Sequence, residues 1–224
     1  MVSKDAPPPP SQQDVAAFVE TIFTAKTSAA SIDACYGLCE LLLSTVGASG
    51  LTQYGILDEV RKAAADKKSG LRRESSQNLL GAIFERFPPR QPMSEVVLLL
   101  QDGGVVPCAL DALADKGSVV REAAQYGLDA LFANLSSEAL VTGLLPALVD
   151  YLSKRTGKWQ GTVGAYRLMQ KMADRSQMSV GATKEEAADK DVLRESMGAK
   201  LAGLIPLVEN GMHDLKTEVE KQAV

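Results

Sequence analysis

Residues 105–124 read VVPCALDALADKGSVVREAA, and the order of residue types in them recurs twice further on. The second copy is LLPALVDYLSKRTGKWQ at 144–160, and the third is LIPLVENGMHDLKTEVEKQA at 204–223. Each opens on two apolar residues and a proline, runs into an apolar helical stripe and crosses a polar turn. In all three, the anchor residue of the next helix follows the proline by 13 positions: Pro107 to Val120, Pro146 to Trp159, Pro206 to Val219. A proline suits the first turn of a helix, where its missing N–H has no partner to lose. A looser copy without the proline sets Ala65-Asp66-Lys67 and Arg73-Glu74 against Ala114-Asp115-Lys116 and Arg121-Glu122. Tyr36-Gly37-Leu38 likewise echoes Tyr126-Gly127-Leu128. The repeating unit is a helix, a tight turn carrying Asp, Lys or Gly, and a second helix.

Outside the copies the apolar period is also 3.6. Val15, Phe18, Val19, Ile22 and Phe23 form one stripe, and Ile32, Tyr36, Cys39, Leu42 and Leu43 another. Breakers at Gly47–Gly50, Lys68–Gly70, Pro88–Pro89, Gly103–Gly104, Gly117 and Gly157 predict helices of about 12–18 residues with short connections. Val96–Leu100 is strand-like by itself, but it has no partner strand and is read as helix. The 39-residue step from Pro107 to Pro146 is close to the roughly 40–47 residues of HEAT and armadillo units. A helix pair of this kind buries its apolar face only by stacking on neighbours. The expected fold is an all-α, right-handed α-solenoid of HEAT-like helix pairs, about five of them, over 14–224. An armadillo-type array and an irregular helical bundle are the alternatives. Residues 1–13, with four consecutive prolines, are expected to be a disordered tail. The longer step to Pro206 implies an inserted loop with partial helix at about 177–195, rich in Ala, Lys, Glu and Asp. The third copy stops within its second helix, so the chain is expected to be an N-terminal fragment of a longer protein.

Composition narrows the function. The 224 residues are 46% apolar and 23% charged, the ordinary range for a globular chain, while 5% aromatics disfavours strand-rich sandwiches and barrels. Twenty-four Lys and Arg against 28 Asp and Glu leave a net charge of −4. Any hold on nucleic acid must therefore come from a local patch. Cys35, Cys39 and Cys108 are too few for a disulfide framework and imply a reducing compartment. No run approaches 18 apolar residues and no signal peptide precedes the first stripe, so no membrane contact and a cytoplasmic or nuclear location are expected. The single histidine, His213, leaves no metal cluster or Ser-His-Asp set. Phosphate-cradling glycine motifs are missing too. No catalytic, metal or cofactor residue is assigned, and enzyme activity is not expected.

The motifs also carry a family resemblance. Leu144-Leu145-Pro146-Ala147-Leu148 with Gly157-Lys158-Trp159-Gln160 resembles a segment of fungal translation elongation factor three and its ABC-F relatives. So does Leu204-Ile205-Pro206-Leu207-Val208 running into Met212-His213-Asp214-Leu215-Lys216-Thr217-Glu218-Val219. A related region of the ribosome-associated activator of the amino-acid-starvation kinase differs at the Gln. The resemblance implies a ribosome-docking HEAT arm, contacting rRNA and ribosomal proteins, ahead of ATP-binding cassettes that hold ATP and Mg. The alternative is a general HEAT scaffold for protein partners in transport, mRNA export or kinase activation.

One site follows from the repeat itself. Lys67, Lys68, Arg72 and Arg73 fall at one inter-helix turn, Lys116 and Arg121 at the next, and Lys154, Arg155 and Lys158 at the third. Equivalent turns of a solenoid line up, so these cations are expected to be exposed along one edge as a basic ridge. Lys216 and Lys221 continue the pattern. The structural reading is that such cations favour helix C-termini. The functional reading is contact with the phosphate backbone of structured RNA, which needs no aromatic stacking. Trp159 is expected in the core, in the slot of Val120. Cys35 and Cys39 are expected as buried small hydrophobes, and His213 as a surface residue near a turn. The piece is expected to be monomeric or weakly self-associating through 196–224.

Overall fold

Ser11 opens the first helix with a reciprocal cap. Its hydroxyl accepts from the Asp14 amide at 3.2 Å while the Asp14 carboxylate accepts from the Ser11 amide at 3.3 Å. The computed structural model describes residues 8–86, 94, 99–100, 104–154, 158–177, 183–212, 217 and 221. Of the tail expected over 1–13, residues 1–7 lie outside the described residues, and the Pro10 carbonyl accepts from the Tyr54 hydroxyl at 2.7 Å.

The helices run α1 (Gln12–Thr24), α2 (Ser28–Thr45), α3 (Ser49–Gln53), α4 (Ile56–Ala64), α5 (Gly70–Arg86), α6 (Val105–Ala112), α7 (Ser118–Asn134) and α8 (Ser137–Ala139). A π-type turn at Leu140–Leu144 leads into α9 (Leu145–Lys154), followed by α10 (Trp159–Ser176) and α11 (Lys184–Met212). No strand occurs among the described residues, so the protein is all-α, built from the helix–turn–helix repeats of its sequence. Leu99 and Leu100 are helical, as read; 96–98 lie outside the described residues. One expected long helix is split into α3 and α4, because Gly55 takes a left-handed φ of 69° between them.

The chain divides into two compact units. In the first, α5 is central and packs against α1, α2, α4 and α7. Ile22, Leu38, Leu42, Leu79, Ile83, Phe84 and Leu128 are fully buried there, each contributing about 1.5–3 kcal/mol. A run of polar residues, Arg73-Glu74-Ser75-Ser76-Gln77, is buried with them. The small hydroxyls are satisfied locally. Ser31 donates to the Ile22 carbonyl at 3.1 Å and lies 2.8 Å from the Ser75 hydroxyl, while Ser76 bonds the Arg73 carbonyl at 2.6 Å. Next to this layer α5 and α7 approach through glycine: a β-carbon on Gly81 would stand 3.6 Å from the Gly127 Cα and 3.3 Å from the Tyr126 ring.

The second unit holds α6 and α8–α11. Tyr151 on α9 donates to the Asp111 carboxylate at 2.8 Å, and Tyr166 on α10 to the Leu207 carbonyl at 2.6 Å. The three repeat prolines differ in setting. Pro107 lies in the first turn of α6, and Pro146 is the second residue of α9. A π-type turn, closed by the Leu145 amide on the Leu140 carbonyl, lies just before Pro146. Pro206, expected to start a helix, is instead inside α11 at an exposed position, where the carbonyl left without an N–H partner is open to water. The stretch at 177–195 is expected from sequence to be an inserted loop with partial helix. From Lys184 onward it is the start of α11, since Ala, Lys and Glu are strong helix formers whether or not a core stands behind them. Residues 178–182 and 213–216 lie outside the described residues.

Candidate functional site

The turn before α5 is built on Asp66, whose Oδ1 accepts from the Lys68 amide at 2.8 Å and the Ser69 amide at 2.9 Å. These bonds hold its carboxyl below the usual range, with the Arg72 and Arg73 charges adding to the effect. The turn before α7 repeats the device: Asp115 Oδ1 accepts from the Gly117 amide at 2.8 Å. In each turn the matching arginine bonds the carbonyl of the aspartate, Arg73 Nη1 to Asp66 at 2.9 Å and Arg121 Nη1 to Asp115 at 2.8 Å. The repeat alignment made on sequence therefore pairs residues with the same backbone role.

The side chains nevertheless divide. Arg73 is 8% exposed and corrects the expectation of a surface cation. Its Nε and Nη2 bind the two Asp115 oxygens at 2.6 and 3.1 Å, so its guanidinium joins one turn to the next. Arg72 is half-buried, ion-paired with Asp66 at 3.5 Å and set over the Phe23 ring at 5.9 Å. Lys67, Lys68, Lys116 and Arg121 are exposed. All six belong to the first unit, where the Arg73–Asp115 bridge brings the two cation-bearing turns together. Lys154 and Lys158 are exposed in the second unit, Lys154 paired with Asp150 at 2.6 Å and Lys158 reaching the Ala114 carbonyl at 3.4 Å. Arg155 lies outside the described residues, as does Lys216. Lys221 is exposed.

Trp159 is 37% exposed, which corrects its expected place in the core. It is the first residue of α10, whereas Val120 is the third of α7. The third residue of α10 is Gly161, which is buried, and a β-carbon there would fall 2.1 Å from the Tyr151 hydroxyl. Cys35 and Cys39 are fully buried, as expected, and burial pushes the Cys35 thiol up to about 12. Among the described residues no group of three or more His, Cys, Asp or Glu gathers to hold a metal, and no helix is long and apolar enough to cross a membrane. His213 lies outside them.

Two features were not singled out from sequence. One is a cleft of about 520 Å³ between α9 and α11, lined by Leu145, Pro146, Val149, Ala199, Gly203 and Leu204 with Asp150 and Lys200 at its side. The other is a carboxylate shared by two tyrosines. Glu85 Oε2 accepts from Tyr36 of α2 at 2.5 Å and from Tyr126 of α7 at 2.7 Å. The two hydroxyls hold the Glu85 carboxyl below its usual range, and Arg86 lies over the Tyr36 ring at 5.4 Å. The Tyr36-Gly37-Leu38 echo of Tyr126-Gly127-Leu128 was the available signal for this pair.

Comparison with known proteins places these features in a context. The family model described as the EF3 N-terminal HEAT repeat matches residues 32–186. The chain is 30% identical over 213 residues to the mRNA export factor elf1 of Schizosaccharomyces pombe, covering 95% of this chain and 18% of that protein. It is 28% identical over 198 residues to a prion formation protein 1 of Saccharomyces cerevisiae, covering 86% and 15% respectively. Against an elongation factor 3 of Gonapodya prolifera it is 27% identical over 216 residues, covering 94% and 17%. The chain thus spans less than a fifth of the length of the curated relatives it matches.

Proposed function

We propose, because this chain belongs to the EF3 N-terminal HEAT-repeat family, that it is a ribosome-docking module whose repeat turns hold the phosphate backbone of rRNA beside ribosomal proteins. The observation that carries this reading is the pair of like-built turns in the first unit, joined through Arg73 and Asp115, which expose Lys67, Lys68, Lys116 and Arg121. In a chain of net charge −4, a local group of cations is what phosphate contact needs. Lys154 and Lys158 extend the same reading to the second unit, and Arg155 joins them on sequence. The module itself carries out no chemistry in this account. ATP and Mg would act in cassettes elsewhere in the whole protein, in the cytoplasm. A second reading, a HEAT scaffold for protein partners, draws support from the 30% identity to an mRNA export factor.

Ribosome co-sedimentation separates the two. The charge-reversed variant K67E/K68E/K116E should fold normally and pellet less with ribosomes. Its salt dependence should shrink by about one unit of slope per lost phosphate contact. Pelleting unchanged from wild type at every salt concentration would shift the assignment to the scaffold.

A further inference from the structure

We propose that the face of the first unit formed by α2, α5 and α7 is a docking groove for an extended, Lys/Arg-rich segment of a partner protein. Helical spacing places Glu74, Asn78 and Glu85 of α5 on one line. That line is recessed in its first half, with Glu74 only 9% exposed, and it opens at Glu85, which is exposed. Because Glu85 takes hydroxyls from both Tyr36 and Tyr126, the neighbouring faces of α2 and α7 turn to the same side as this line. On α2 that face carries Asp33 and Glu40 on either side of Tyr36, both exposed; on α7 it carries Val119, Glu122 and Tyr126.

Charge and exposed apolar surface together specify the occupant. Among the described residues, Asp33, Glu40, Glu85 and Glu122 meet one cation on this face, Arg86, already set over the Tyr36 ring. A polyphosphate chain is repelled here. A chain of lysine and arginine is matched on both walls. Tyr126 and Val119 are 52% and 50% exposed, the most open of the large apolar residues among those described, and they stand where the aliphatic stems of Lys and Arg would lie. On the floor, the Asn78 amide nitrogen is out of water and has no hydrogen-bond partner among the described residues, an orphan donor that a peptide carbonyl in the groove would satisfy. The proposal is independent of ribosome docking, since it uses a different surface and the opposite sign of charge.

Fluorescence anisotropy of the whole chain with a labelled peptide of alternating lysine and arginine tests it, with an equally long glutamate–aspartate peptide and polyuridine RNA as comparison probes. The basic peptide should bind saturably and the acidic peptide should not. Neutralising the rim in D33N/E40Q/E122Q should weaken binding by about tenfold or more, because three surface charge pairs are removed. All three positions are exposed, so circular dichroism should be unchanged. Val119→Ser should weaken binding about two- to fivefold. The variant K67E/K68E/K116E should not weaken it. Absence of saturable binding overturns the proposal, and so does binding that survives the triple neutralisation. Competition by polyuridine for the same face would assign it to RNA and also overturn the proposal.

Discussion

The turns at 66–73 and 115–121 were cut from one pattern and do different work. Both use an aspartate carboxylate to fold the turn on amides two or three residues on, and both send an arginine back to that aspartate's carbonyl. Arg73 has a second partner, because the next turn in the chain supplies the Asp115 carboxylate. Arg121 bonds the Asp115 and Lys116 carbonyls and stays exposed. The buried arginine ties repeat to repeat, while the exposed one is available to a partner. A repeat motif therefore fixes where a residue sits, and the carboxylate within its reach decides what it does.

The largest expected effect breaks the pair that distinguishes them. Removing either Arg73 or Asp115 takes the charged partner from a two-bond pair largely shielded from water, so Arg73→Ala or Asp115→Ala should lose about 3 kcal/mol in urea unfolding. Arg121→Ala should stay within about 0.5 kcal/mol of wild type. Next is Gly161, which takes in α10 the position Val120 has in α7. Gly161→Ala drives a methyl into the Tyr151 hydroxyl and to 2.9 Å from the Leu110 carbonyl, and should cost about 1–3 kcal/mol, read as a lower melting temperature. A smaller effect belongs to Glu85. Its carboxyl is held low by two tyrosine hydroxyls, so its contribution is present above the ordinary value of 4.5 and is lost as pH falls through the lowered value. With solvent screening, Glu85→Gln should cost about 0.5–1 kcal/mol at neutral pH. The gap to wild type should close in acid, as followed by unfolding at a series of pH values. Least of all for stability, reversing Lys67, Lys68 and Lys116 should change it by about 0–1 kcal/mol per site while ribosome pelleting falls.

Much of this was legible in the sequence, because the repeat and the 3.6 period are local. Each turn's Asp and Lys could be read where they stand, and so could Val15, Ile22 and Phe23 of α1. Of the stripe read on α2, Cys39 and Leu42 are buried, together with Ala34, Cys35 and Leu38 beside it. The misreadings have nonlocal causes. The run from Arg73 to Gln77 looks like a solvent face until α1, α2, α4 and α7 close around it, and Arg73 finds its carboxylate 42 residues away. Trp159 was aligned by its distance from a proline, but α10 begins two residues later in the copy than α7 does, which brings Gly161 to the buried position. Pro206 was given the role of Pro107, although the Ala- and Lys-rich stretch before it carries the helix straight through. The Tyr36–Glu85–Tyr126 contact had a visible echo for its two tyrosines and none for the glutamate between them.

A pair of double-mutant cycles against Asp115 tests the division of the two arginines most directly. Urea unfolding of Arg73→Ala, Asp115→Ala and the double variant should give a coupling energy of about 1.5–3 kcal/mol. The same cycle with Arg121→Ala should give about zero, since Arg121 bonds the Asp115 and Lys116 backbone carbonyls and not the Asp115 carboxylate. Equal coupling of both arginines to the Asp115 side chain, or no coupling of Arg73, would contradict the account.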